Sequence, residues 1–193
     1  MYDPILITAP TAKPVSVAEA KAHLRVDVSD EDTYIGTLID AASAHLDGWT
    51  GQLGQAICEQ TWRDQWDDFS SVMRLNLYPV QSVSSVKYID TNGDEQTIDA
   101  ANYYLMKLDG TWFVVFKSNY TFPALSVMDR PAVTIEYVAG YDTVPAAICH
   151  AIKLIVGAWY ENREETIIGV PVARLPDSVA VNALLAPYRR VGF

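Results

Sequence analysis

Cysteine, histidine and basic side chains are all scarce in this sequence, and each scarcity removes a class of protein. Two cysteines, Cys58 and Cys149, occur in 193 residues. They lie far apart, one in a strand-like stretch and one in a helix-like stretch, which argues against a disulfide scaffold and for buried free thiols. The three histidines, His23, His45 and His150, each fall within a helical pattern, and none is spaced i, i+3 or i+4 from another His or Cys. His150 adjoins Cys149, but helix neighbours point about 100° apart and do not readily share a metal. No GxSxG elbow, HExxH pair or Walker loop is present. The expectation is therefore no catalytic residues, no metal and no cofactor.

Positive charge is also short. Fourteen Lys and Arg face 24 Asp and Glu, for a formal net charge of -10. A protein that grips duplex nucleic acid needs a cationic surplus to neutralise phosphates, and this chain has none. Solubility is one consequence; a surface past which DNA slides without sticking is another compatible one. No apolar run approaches the roughly 20 residues needed to cross a bilayer, so no membrane association is expected. The opening "MYDPILITAP" has no basic stretch leading into an apolar one and is not read as a signal peptide. A soluble protein made in a cytoplasm is expected.

What is present is a well-patterned globular chain, 50% hydrophobic and 20% charged, long enough for one good core or two small lobes. Ser16-Val17-Ala18-Glu19 is a capping box opening a helix on which Val17, Ala20 and Leu24 share a face. Ser29 to Asp32 predicts the cap of a longer helix, with Ile35, Leu38, Ile39, Ala42, Leu46 and Trp49 in an amphipathic stripe ended by Gly51. From about Leu53 the period becomes two. Cys58, Trp62 and Trp66 share one parity, as do Met73, Leu75 and Leu77. "YYLMKLDGTWFVVF" reads as a hairpin turning at Asp109-Gly110, and "AVTIEYV" as a further strand.

The helical period returns after Thr143, an expected N-cap. Ile148, Ile152, Ile155 and Trp159 form one stripe, and Ala147, Ala151, Leu154 and Ala158 a second. A helix apolar on two sides is covered on two sides, by its own domain and by a neighbouring subunit. Beyond Pro171 and Pro176, Asp177 is an expected cap for a short helix with Val179, Ala183 and Leu184 as its apolar face. So short a helix needs a partner surface, in the same subunit or another.

The fold class expected is α+β: an α-helical bundle module made by the N- and C-terminal helices, with a small antiparallel β module inserted. The expected boundaries are N-terminal helices over 1–52, the β module over 53–142, a long helix over 143–165 and a C-terminal arm over 166–193. "DTNGDEQTID" fails as a calcium loop, since its sixth and twelfth positions are Glu95 and Ala101, and reads as a β-turn at Asn92-Gly93.

The order of these pieces resembles a known family. "VSVAEAKAHLRVDVSDEDTYIGTLIDAASAHLDGWTGQ" is similar to the opening of bacteriophage head–tail connector (adaptor) proteins, which also occur in gene transfer agents. "YPVQSVSSVKYIDTNG" looks like the family's β segment, "VPAAICHAIKLIVGAWYENRE" like its long helix, and "LPDSVAVNALLAPYR" like its C-terminal segment. The resemblance implies a non-catalytic structural protein of a virion or phage-like particle, synthesised in a bacterial cytoplasm. Its expected partners are copies of itself in a ring, commonly of twelve, with the portal protein on one side and a stopper or tail-terminator on the other. DNA would pass through the lumen without specific binding.

Two sets of residues carry that expectation. Ala147, Ala151, Leu154 and Ala158 are expected at the subunit interface. Pro176, Leu184, Leu185, Tyr188, Arg189 and Arg190 are expected in a portal-docking arm, with the two arginines meeting acidic groups. The rival of a different class is a small β-type ligand- or protein-binding module using Trp62, Trp66 and Trp112 as exposed aromatics. An enzyme with a cleft comes third.

Overall fold

A computed structural model describes residues 2–163 and 178–190. The chain divides into two compact units: residues 1–11 with 58–141, and residues 12–57 with 142–193.

The first unit is all β. Its strands are β1 (Ile5–Thr8), β2 (Gln60–Trp66), β3 (Val72–Arg74), β4 (Val80–Ile89), β5 (Glu95–Thr97), β6 (Tyr103–Leu108), β7 (Thr111–Phe116) and β8 (Val133–Ala139). They build a five-stranded sheet in the order β1-β2-β8-β4-β5 and a three-stranded sheet in the order β3-β7-β6. Every ladder is antiparallel. The expected hairpin is β6–β7, closing at Asp109 (φ 48°) and Gly110 (φ 78°). Two positive φ values in succession suit the right-handed twist of the flanking strands, which is why Asp-Gly stands there.

Strict alternation explains the β core. Along β8, Val133, Ile135, Tyr137 and Ala139 are buried while the residues between them are half-buried. Met73, Leu75, Leu77, Val86 and Val114 are buried with them. Phe69, Phe116, Tyr120 and Phe122 form stacked and edge-to-face ring contacts. At the β4–β5 turn, the Asp90 carboxylate accepts from Asn92 N at 2.8 Å and Asp94 N at 3.1 Å. This segment thus holds its carboxylate for its own backbone, as the expected β-turn requires, and those hydrogen bonds lower the Asp90 pKa.

The second unit is helical: α1 (Val17–Leu24), α2 (Asp32–Leu46), α3 (Ala146–Glu161) and α4 (Val179–Leu185). The capping box forms as expected, with Glu19 N donating to Ser16 Oγ and Ser16 N to the Glu19 carboxylate. The core joins Ile35, Ile39, Ala42 and Leu46 of α2 to Ile148, Ala151, Ile152, Ile155 and Val156 of α3. Each fully buried isoleucine is worth about 1.5–3 kcal/mol of hydrophobic stabilisation.

Several local expectations are corrected. Residues 5–8, within the stretch expected to hold the N-terminal helices, form a strand of the β unit. Glu31 is the N-cap of α2 and makes no side-chain capping bond. The helix stops at Leu46, before Trp49 and Gly51. Pro145, not Thr143, is the N-cap of α3; it makes no side-chain capping bond, and its carbonyl accepts from Ile148 N at 2.9 Å and Cys149 N at 3.2 Å.

Candidate assembly surface

The expected interface face of α3 and the expected arm both lie in the helical unit, and the structure separates their members. Ala147, Leu154 and Ala158 are half-exposed. Ala151 is 0% exposed and packs into the unit's own core, so it cannot offer its side chain to a neighbour. Its small size leaves no mark in the sequence pattern to distinguish a close helix–helix approach from an open face. Trp159, expected to anchor the core with the three isoleucines, is only half-buried.

The C-terminal segment is not a loose tail over its described residues. Ser178 caps α4 by accepting from Val181 N at 3.1 Å; Asp177, the expected cap, lies outside the described residues. Val181 and Leu185, four apart on one face, are buried, and α4 packs on α3. The expected apolar face is the other one: Val179 is 87% exposed, Ala183 is exposed and Leu184 half-buried. The helix is therefore apolar on two sides. One side fastens it to its own unit and the second faces outward.

Beyond α4 the chain is tied down at each step. Gln55 Nε2 donates to Tyr188 O at 2.6 Å, and Arg190 N donates to Leu53 O at 2.9 Å. Arg189 reaches Asn182 Oδ1 at 2.5 Å. The Arg190 guanidinium lies 4.6 Å from the Trp49 ring centroid, a cation–π arrangement. Its Cβ would stand 3.2 Å from a Cβ placed on Gly54, whose φ of +64° also favours glycine. Both arginines expected to meet a partner's acids are thus engaged within the unit. Pro176 lies outside the described residues.

The end of α3 carries a second polar cluster. Glu31 accepts from the Tyr160 hydroxyl and from Arg163 Nη2. The Arg163 guanidinium stands 4.7 Å from the Tyr34 ring and 5.6 Å from the Tyr160 ring. The hydrogen bond from Tyr160, followed by that from Arg163, lowers the Glu31 pKa, and the Tyr160 phenol is raised in return by the same bond. Tyr160 and Arg163 thereby clamp the start of α2. Sequence does not reveal that contact, because Glu31 lies some 130 residues earlier in the chain, within the stretch expected to cap α2.

The aromatic surface required by the binding-module reading is not offered by the residues named for it. Trp62 is 6% exposed, and Trp66 and Trp112 are half-buried. Their shared parity marks packing positions. Among the described residues no helix is long and apolar enough to cross a membrane.

The family model for head completion proteins matches residues 14–191. No curated protein matches. Among solved structures, the fold is similar to a chain in "Neck of empty GTA particle computed with C6 symmetry", with a TM-score of 0.76 and 22% identity, covering 100% of this chain and 97% of that one. A chain in "Virion of native gene transfer agent (GTA) particle" gives a TM-score of 0.75 at 22% identity, with the same coverage. One in "Neck of native GTA particle computed with C12 symmetry" gives 0.69 at 20% identity, again covering 100% and 97%. At these identities the likeness is one of fold.

Proposed function

The chain belongs to the head completion protein family, and from that premise we propose that it is the head–tail adaptor of a phage or gene-transfer-agent particle. In this reading it forms a ring, twelve-fold in keeping with its resemblance to connectors, beneath the portal. The ring extends the DNA channel and mounts the stopper or tail-terminator. The observation that carries the reading is the family match over residues 14–191, running through both units and the C-terminal segment. The full-length fold likeness to chains of particle necks supports it.

The chain's own chemistry is in keeping with that role. A net charge of -10 disfavours adhesion of DNA to a channel wall. On α3 the half-exposed Ala147, Leu154 and Ala158 remain the proposed contact with a neighbouring subunit. The portal-docking arm is proposed to act through the outward face of α4, Val179 and Ala183 with the edge of Leu184, while the Val181–Leu185 face holds the segment in place.

The experiment is genetic. Particles made without this chain should accumulate as heads lacking tails, and purified protein added to those heads should restore tail attachment. Normal tailed particles in its absence would contradict the proposal.

A further inference from the structure

One strand and one sheet face of the β unit are more apolar than a finished surface should be. The edge strand β1 has a single hydrogen-bonded neighbour, β2. Its Ile5, Leu6 and Ile7 are 43%, 44% and 41% exposed, so both faces of the strand show large apolar side chains to solvent. Exposed hydrophobic edge strands invite pairing with another chain, and charged residues are the usual safeguard. Ile5–Thr8 contains none.

The second surface is the outward face of the three-stranded sheet. Val72 pairs with Val115, and Val115 with Tyr104, so one apolar row crosses all three strands. Val72 and Tyr104 are 43% and 49% exposed. The row floors a shallow depression whose rim includes Lys117. At the next level along this face stand Arg74, Phe113 and Met106.

The two surfaces differ in the balance of charge. Asp3 precedes β1 and is exposed. At the same end of the strand, Tyr2 binds Asp67 at 2.8 Å, and Asp68 is exposed beside it; Arg130, 3.4 Å from Asp68, offsets part of this charge and leaves the flank acidic on balance. Around the sheet face the charges are Arg74 and Lys117, and neither forms an ion pair among the described residues. In a chain with ten more acids than bases, an apolar row bordered by cations is a departure from the average surface.

A head-to-tail ring contact needs two different patches on every subunit, each fitting the other. Resting on the adaptor reading above, we propose that strand β1 of one subunit docks across the Val72–Val115–Tyr104 row of the next. The strand docks by one face: Leu6, opposite Trp62 in the ladder, seats on the apolar row, Ile5 on the other face stays at its margin, and the acidic flank of β1 meets Arg74 and Lys117. The occupant is thus a second copy of this chain, and the contact adds to the one proposed for α3. Burial of the apolar side chains supplies most of the attraction, while the charges fix the direction of the contact.

The test uses the full chain with Cys149→Ser, because Cys149 is half-exposed while Cys58 is buried. Leu6→Cys and Tyr104→Cys are introduced separately and together; both positions are surface-exposed. Rings assembled on the portal, imaged by electron microscopy, are then oxidised. The expected result is a covalent pair only when the two single variants are mixed, and a ladder of multimers when one chain carries both. Rings of normal appearance that give neither product overturn the proposal and leave the adaptor reading standing. Failure of the unsubstituted chain to form any ring, free or on the portal, overturns both. As a second arm, Leu6→Asp should raise the concentration needed for assembly at least about tenfold with an unchanged circular dichroism spectrum; unaltered assembly counts against the contact.

Discussion

The guanidinium of Arg190 lies 4.6 Å from the ring centroid of Trp49, and this contact ties the last described residue of the chain to the loop after α2. It changes what the C-terminal segment is. A pair of arginines in an acidic chain reads as a cationic hook awaiting a partner, yet here the segment is seated on its own helical unit. Its outward face is apolar rather than charged.

Arg190→Ala should loosen the segment without unfolding the unit. An exposed cation–π contact is worth about 0.5–1 kcal/mol, and the Arg190 N to Leu53 O bond is retained by alanine. Amide exchange over 178–190 is expected to accelerate severalfold while α2 and α3 stay protected. Unchanged exchange would mean that Val181 and Leu185 alone fix the segment.

Substitutions along α3 should separate core from interface. Ala151→Glu places a charge at a position with no exposure and is expected to cost about 3 kcal/mol or more. Leu154→Glu and Ala158→Glu, at half-exposed positions, should keep thermal stability within about 1 kcal/mol of the parent and block ring formation. Intact rings with both would remove this face from the interface.

Tyr137→Phe tests the buried polar centre of the β unit. The phenol donates to Asp64 Oδ2 at 3.1 Å and accepts from Leu77 N at 3.0 Å, while Asn76 N donates to the same carboxylate oxygen at 2.7 Å. Burial, then the nearby Asp64 charge, pushes the Tyr137 pKa far up, so the phenol stays protonated and keeps donating. Removing the hydroxyl strands a buried amide and should cost about 1–3 kcal/mol, read as a lower urea midpoint. A neutral result would show that the site relaxes around the loss.

His23 should titrate below the ordinary histidine value of 6.5, because partial burial, then His150 and Lys153, disfavour its charged form. The His23–His150 rings stand edge to face with centroids 6.0 Å apart. A lowered folded pKa means that the unfolded chain takes up the proton first. The helical unit therefore loses a small increment of stability as pH falls below 6.5, and the increment is constant above it. The effect is modest because His23 remains open to solvent. An imidazole titration by NMR with a midpoint at or above 6.5 would contradict this, and Lys153→Ala is expected to move the midpoint up.

Where a local rule leaves one solution, the sequence was readable. The capping box at Ser16 and Glu19, the Asp109-Gly110 turn and the alternation of β8 each depend on neighbours a few residues away. Other features depend on distant partners. Strand β1 is short and bounded by Pro4 and Pro10, and with both faces exposed it shows no alternation to find. Asp64 shares the inward parity of Trp62, but a carboxylate there is intelligible only once Tyr137 and the Asn76 amide are opposite it. The α4 stretch "VAVNALL" has apolar residues all round, so its pattern did not tell which face was spoken for; Val181 and Leu185 were, and Val179 was not. The two arginines of the arm read as docking by charge; with both engaged in their own unit, the docking proposed for the arm moves to its apolar side.

The most direct test of the adaptor account is co-purification with the portal protein encoded nearby, followed by imaging of the complex. The account expects a ring stacked coaxially on the portal, lost when residues 178–190 are deleted while the β unit remains folded. No association across a range of salt concentrations would contradict it.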